Sequence, residues 1–217
     1  MLLRRTQETL NRIGNSRLQL PIFYESPVAL RFEIGDPELE LSVTKENQNP
    51  AYFRAAYLRA DALYREMKPF DVLLWVLYRS SEDSAEPTEI LEKFRKLTAL
   101  PAPAEAYSQD TVDSDGDPLT RIFLFWDLKQ ESFEEAALLE GILHADFGGF
   151  AELSSAVFFF DTDRHLLCHL YDDRGLDIVA EQKEDIAFLH KEYKNWLLDY
   201  DRKRMDDIFG REAAPNE

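Results

Sequence analysis

An α+β fold is what this sequence predicts, with a mixed, largely antiparallel sheet packed by amphipathic helices. Period-two and helical hydrophobic patterns are interleaved along the chain. Two short Asp-rich turns join three consecutive strands into a C-terminal three-stranded meander, and such turns force antiparallel neighbours. Two apolar runs read as strands covered on both faces, which requires helices packed on the sheet. At 217 residues the chain has the length of a single domain, 1–217, with an exposed loop at about 100–118.

The elements follow in order. Leu3, Leu10 and Ile13 recur at near-helical spacing before Gly14 and predict a short amphipathic helix. Between Pro27 and Gly35, Val28, Leu30, Phe32 and Ile34 alternate with Ala29, Arg31 and Glu33, the pattern of a strand with one face buried and one wet. Leu39, Leu41 and Val43 alternate with Glu38, Glu40 and Ser42 and give a second strand. Asn49-Pro50 is a helix start, a capping side chain followed by proline at the first helical position. Phe53, Ala56, Ala60, Leu63 and Met67 form its inward stripe, Asp61 faces Arg65, and Pro69 closes it. Val72 to Tyr78 is apolar on both parities, a strand covered on both faces.

Pro87 to Thr98 is a further helix with Ile90, Leu91, Phe94 and Leu97 inward. Leu100 to Pro118 is rich in Pro, Ala, Ser and Asp without a period and reads as the exposed loop. Arg121 to Trp126 is the second doubly covered strand. Ser132 and Glu135 have the spacing of a capping box for a helix carrying Ala136, Leu139, Ile142 and Leu143, ended by Gly148-Gly149. The meander runs through Ala156 to Phe160, Leu166 to Tyr171 and Leu176 to Ala180, with turns at Asp161 to Arg164 and Asp172 to Gly175. Ile186, Leu189, Tyr193, Trp196, Leu197 and Tyr200 predict a closing helix, with a last turn or two around Met205, Ile208 and Phe209.

The charge balance bounds the partners. Forty-two acidic against 25 basic side chains leave a formal charge of -17, whose mean field repels nucleic acid and anionic membranes. The longest basic run is Arg202-Lys203-Arg204. Such a surface serves solubility, or it docks a basic protein. The expected partner is therefore a basic protein, with no nucleic acid and no membrane, and the chain is expected to be monomeric or weakly self-associating. The lone Cys168 excludes an internal disulfide. The start of the chain lacks the apolar core of a signal peptide, and Val72 to Tyr78 falls far short of the roughly 20 residues of a membrane span. A cytoplasmic location is the expectation.

No phosphate loop, G-x-S-x-G elbow, Cys-His nucleophile pair or zinc quartet is present, and no cofactor is expected. His165 and His169 have the spacing of a helical zinc pair but lie on a strand, where four residues separate them by about 13 Å. Asp113 to Asp117 hints at a calcium loop, yet Ile122 stands where the bidentate Glu belongs. His144-Ala145-Asp146 lacks a third partner. The acidic turn Asp172, Asp173, Arg174 with Asp177 has two readings, a hairpin turn with Gly175 at positive φ or a binding site completed by Asp199 and Asp201. Arg174, with a planar fork for carboxylates, is the expected tie from the meander to the end of the closing helix, through Asp172, Asp173, Asp199 or Asp201.

Four stretches carry a resemblance: Ala29 to Gly35 (ALRFEIG), Leu58 to Ala60, Leu170 to Ala180 (LYDDRGLDIVA) and Tyr193 to Arg202 (YKNWLLDYDR). Together they resemble a bacterial family of uncharacterised proteins, of DUF3885 type, marked by a YDDRG motif. The resemblance implies a shared fold and no particular chemistry. Two functions stay open: a protein-binding module, immunity- or antitoxin-like, that caps a basic partner, or an enzyme with an acidic site around the YDDRG turn and the end of the last helix.

Overall fold

The structure, a computed structural model, describes residues 1–44, 47–80, 82–112 and 115–210. Its centre is a seven-stranded sheet. In chain order the strands are β1 (Ala29–Glu33), β4 (Val72–Ser80), β5 (Glu105–Val112), β6 (Pro118–Asp127), β7 (Val157–Asp161), β8 (Leu166–Leu170) and β9 (Gly175–Ala180), and their spatial order is β1-β9-β8-β7-β4-β6-β5. Every pairing in this sheet is antiparallel. The remaining strands, β2 (Ser42–Thr44) and β3 (Asn47–Gln48), pair with each other. The α+β class and the C-terminal meander are as expected.

Helices cover both faces. On one, α3 (Pro50–Met67) and α4 (Pro87–Thr98) meet the sheet through aromatic contacts, and α5 (Glu135–Leu143) packs against both helices. Phe94 stacks on Trp75 at 4.2 Å, and Tyr64 meets Phe159 edge-on at 5.0 Å. Asn49 caps α3 by accepting from the Ala51 amide, and the whole expected stripe of that helix is buried. On the other face lie α1 (Leu2–Arg12) and α2 (Ile22–Glu25). The amides of Leu2 and Leu3 donate to the Glu105 carboxylate of β5 at 2.7 and 2.9 Å, which caps α1 and pins it across the sheet. Among the described residues no helix is long and apolar enough to cross a membrane.

Several expectations are corrected. The loop expected at about 100–118 contains β5, paired along its length with β6. β5 is an edge strand, mostly exposed, so it lacks the apolar alternation by which a half-buried strand is recognised. In α1 the buried positions are Leu2, Thr6, Thr9 and Leu10, while Leu3 is exposed. The second strand shortens to β2, with Leu39 and Leu41 outside it. α5 begins at Glu135 without a side-chain cap, so the Ser132–Glu135 capping box does not form. The closing helix is broken into α6 (Ala187–Glu192), two single 3₁₀ turns, Lys194–Trp196 and Asp199–Asp201, and α7 (Arg202–Phe209). Between the turns Leu197 bridges Phe32, and the Leu198 amide donates to the Arg31 carbonyl at 2.9 Å. The open edge of β1 thereby gains backbone partners, and continuous helix is given up for them. Tyr200, expected to pack on the sheet, is 87% exposed.

The face of β1 expected to be wet is closed too. Ala29 and Arg31 are buried there, because the short α2 packs on β1 and β9.

Candidate functional site

Closing that face creates a buried polar row. Arg31 on β1 is directly opposite Asp177 on β9, which is opposite His169 on β8. Directly opposed residues of antiparallel strands share a face, so the three side chains lie side by side under α2. Arg31 Nε and Nη2 donate to the two Asp177 oxygens, each at 2.7 Å, and Asp177 is fully buried. Arg31 Nη1 also lies 3.7 Å from Asp201 Oδ2, and the Tyr24 hydroxyl donates to Asp201 at 3.0 Å. The Phe23 and Tyr24 rings flank the guanidinium at 4.8 and 4.9 Å. Burial is the largest single effect and works against the charge of Arg31, but the hydrogen bonds and the charge of Asp177, with smaller help from Tyr171 and Tyr24, together outweigh it and hold the guanidinium above its ordinary pKa.

The YDDRG turn is a second, adjacent arrangement. Arg174 donates to Asp172 from its own backbone amide at 2.7 Å and from Nε at 2.8 Å. Its side chain is 74% exposed, whereas that of Asp172 is 2% exposed. Asp173 accepts from the Tyr52 hydroxyl of α3 at 2.7 Å, and burial raises its pKa. The Ile34 amide donates to the Arg174 carbonyl at 2.9 Å and stitches the turn to the end of β1.

Gly175 is not at positive φ, contrary to expectation. The constraint is space: a Cβ on Gly175 would stand 1.7 Å from the Tyr171 hydroxyl, and one on Gly35 would stand 2.2 Å from the Tyr52 hydroxyl. Each glycine clears room for one of the tyrosines that wall the two arrangements.

The six residues singled out by sequence are thus divided. Asp177 and Asp201 gather around Arg31, Asp172 holds Arg174, and Asp173 holds Tyr52. Asp199 stands apart, 94% exposed and paired with Arg202 at 2.8 Å. Arg174 does not tie the meander to the 3₁₀ turn at Asp199–Asp201, because its carboxylate partner lies within its own hairpin; Arg31 makes that tie. Sequence reasoning missed Arg31, Tyr24 and Tyr52 as members. The one available signal was a lone arginine amid the apolar residues of ALRFEIG, with an aspartate at the matching place in another expected strand.

The remaining candidates are dispersed. His169 is buried and stacked on Phe158 at 4.4 Å; among the described residues its ring nitrogens form no well-aligned hydrogen bond, though the Ser155 backbone lies close enough to bear on its protonation. His165 sits in the preceding turn with Nδ1 3.2 Å from Thr9 Oγ1. His144 stacks on Phe53 at 4.1 Å. Of the calcium-like loop, Asp113 and Ser114 lie outside the described residues.

Chemically, the central cluster offers little to a substrate. Both Asp177 oxygens are taken by Arg31, and a hollow of about 540 Å³ that reaches Asp201 has Tyr200, Lys203, Arg204, Asp207 and Ile208 as its other walls. Comparison with known proteins points to one family: residues 6–201 match the one described as a domain of unknown function, DUF3885. The chain is also 21% identical over 204 residues to the uncharacterized protein YnaE of Bacillus subtilis (strain 168), covering 87% of this chain and 94% of that protein. No solved structure matches it.

Proposed function

Since the chain belongs to the DUF3885 family, whose description assigns no activity, we propose a function from geometry: one domain that binds a protein partner, as an immunity- or antitoxin-like cap on a basic protein. One observation carries this reading over the catalytic one. Asp172, Asp173, Asp177 and Asp201, which an acidic active site would need, are 1%, 3%, 0% and 6% exposed, and each already holds a neighbour in the fold. Catalytic acids and bases must reach a substrate proton, and buried, paired carboxylates do not. They are better explained as ties among β1, β9, α2 and the C-terminal segment.

The charge left for a partner is on the outside. Glu82, Asp83, Glu86, Glu89 and Glu92 are all exposed around the start of α4. A field of this sign accelerates encounter with a basic surface, and salt screens it.

The test is kinetic. With a basic partner isolated by affinity capture and repurified, the association rate should fall by roughly tenfold between about 0.01 and 0.15 M salt. A partner that proves acidic, or a rate indifferent to salt, refutes the reading. So does an enzymatic turnover abolished by Asp172→Asn in a protein that melts as the native chain does.

A further inference from the structure

A groove of about 1350 Å³ opens on the sheet face that carries α1, beyond the part α1 covers. Its floor is the far half of β4, β6 and β5, with Tyr78, Tyr107, Arg121 and Phe123 facing up, and one wall is α1. In a chain with 42 acidic residues, no Asp or Glu among the described residues lines it. Its cations are Arg17 and Arg121, and neither has a carboxylate partner among the described residues.

Arg121 rests on an aromatic bed. Its guanidinium lies over the rings of Phe123 and Tyr78 at 4.8 and 5.7 Å, and Tyr107 stacks on Phe123 at 4.4 Å. The aromatic bed fixes the planar group and removes water from one side. Its Nε is buried and has no hydrogen-bond partner among the described residues. A buried charged donor left unmatched carries a desolvation cost, and a carboxylate hydrogen-bonded to the outer nitrogens of the same guanidinium would offset it by charge.

The groove also runs beside an open edge. Among the described residues β5 pairs with β6 alone, and Tyr107, Gln109 and Thr111 of β5 line the groove. The outer side of such a strand offers backbone donors and acceptors to an added strand. From Phe125 to Leu119 the floor extends for about 20 Å at strand rise, the length of about six extended residues.

We propose that this groove binds an extended acidic peptide segment, with a carboxylate on Arg121 and the peptide backbone along β5. The proposal rests on the protein-binding reading only in that the ligand is a polypeptide. It is independent of the partner's net charge, since basic proteins also present local carboxylates. A nucleic acid would bring many phosphates into a net field of -17, and a small anion would leave the apolar floor and the strand edge unused.

The probe is an acetylated, amidated peptide of about six residues alternating Val and Glu, with its Lys-for-Glu counterpart and acetate as controls, titrated into the full chain and followed by amide NMR shifts. The Glu peptide should saturate shifts in β5 and around Arg121 to Phe123, and the Lys peptide should bind at least about tenfold more weakly. Arg121→Gln, on a half-buried side chain, should lower affinity for the Glu peptide by about tenfold or more, with the melting midpoint little changed. Equal affinities for the two peptides, no shifts in the groove, or an Arg121→Gln protein that binds as tightly would each overturn the proposal. Acetate reproducing the same shifts would mean a simple anion site and would overturn it too. If the groove fails while a basic partner still binds with salt dependence, only this inference falls; if the Glu peptide binds there and no basic partner exists, only the function proposed above falls.

Discussion

Between Arg31 and Arg174 the guanidinium chemistry is the same and the surroundings differ. Arg31 has a side chain 9% exposed and faces an aspartate at 0%, whereas the side chain of Arg174 is 74% exposed. Removing Arg31 leaves the Asp177 carboxylate buried and unpaired, so Arg31→Ala should cost about 3–5 kcal/mol in a urea melt. Removing the Arg174 side chain leaves Asp172 still accepting from the Arg174 backbone amide, and water replaces the guanidinium, so Arg174→Ala should cost under about 1 kcal/mol. Equal losses in the two variants would show that the burial assigned to Arg31 is wrong. The sequence pointed to the acidic members and chose the wrong arginine. Alternation places Arg31 on one face of β1, but nothing in β1 says what covers that face. The cover is Phe23 and Tyr24 around a helix of four residues, too short to show a helical period.

At the scale of elements, β8 shows the same effect. His169 and Cys168 point to opposite faces, and both are buried, because helices cover both sides of the meander. Burial holds the His169 pKa down to about 3, with the Ser155 backbone opposing it and the charge of Arg31 adding a smaller push. The groups facing it are Asp177 and Arg31 along the row, with Tyr171 at 5.8 Å. The unfolded chain takes up the proton near pH 6.5 and the folded one only near 3, so stability is full above about 6.5 and falls as pH drops through that window. Between pH 7 and pH 5 this one group should remove about 2 kcal/mol. His169→Phe, which keeps a ring against Phe158, should flatten that part of the stability profile; an unchanged slope would mean that the ring is hydrated and titrates normally. Elements with strong internal signals were legible: α3 matches its expected bounds because cap, stripe and proline agree, and α4 because proline and stripe agree. β5 and the broken closing helix were not, since an exposed edge strand needs no apolar alternation, and the demand of β1 for backbone partners is a tertiary fact.

For the whole molecule the governing quantity is charge. Protein–nucleic acid affinity is dominated by neutralised phosphates, so a net charge of -17 must be overcome by a concentrated basic patch. The groove beside α1 is the place where a patch would matter, and it contributes two arginines, Arg17 and Arg121. Two phosphate contacts correspond to a salt slope of only about -1.8 and weak binding at physiological salt, set against repulsion by the surrounding carboxylates. The run Arg202-Lys203-Arg204, the longest basic stretch in the sequence, is partly spent inside the fold. Arg202 pairs with Asp199 at 2.8 Å, Lys203 with Asp207 at 2.8 Å, and Arg204 donates to the Ser26 carbonyl at 3.0 Å. At physiological salt the purified chain should therefore show no measurable gel shift with duplex DNA or RNA. A submicromolar complex that weakens steeply with salt would overturn the charge argument, and it would place the phosphates where Arg17 and Arg121 stand, a location that Arg121→Gln would test by losing the shift.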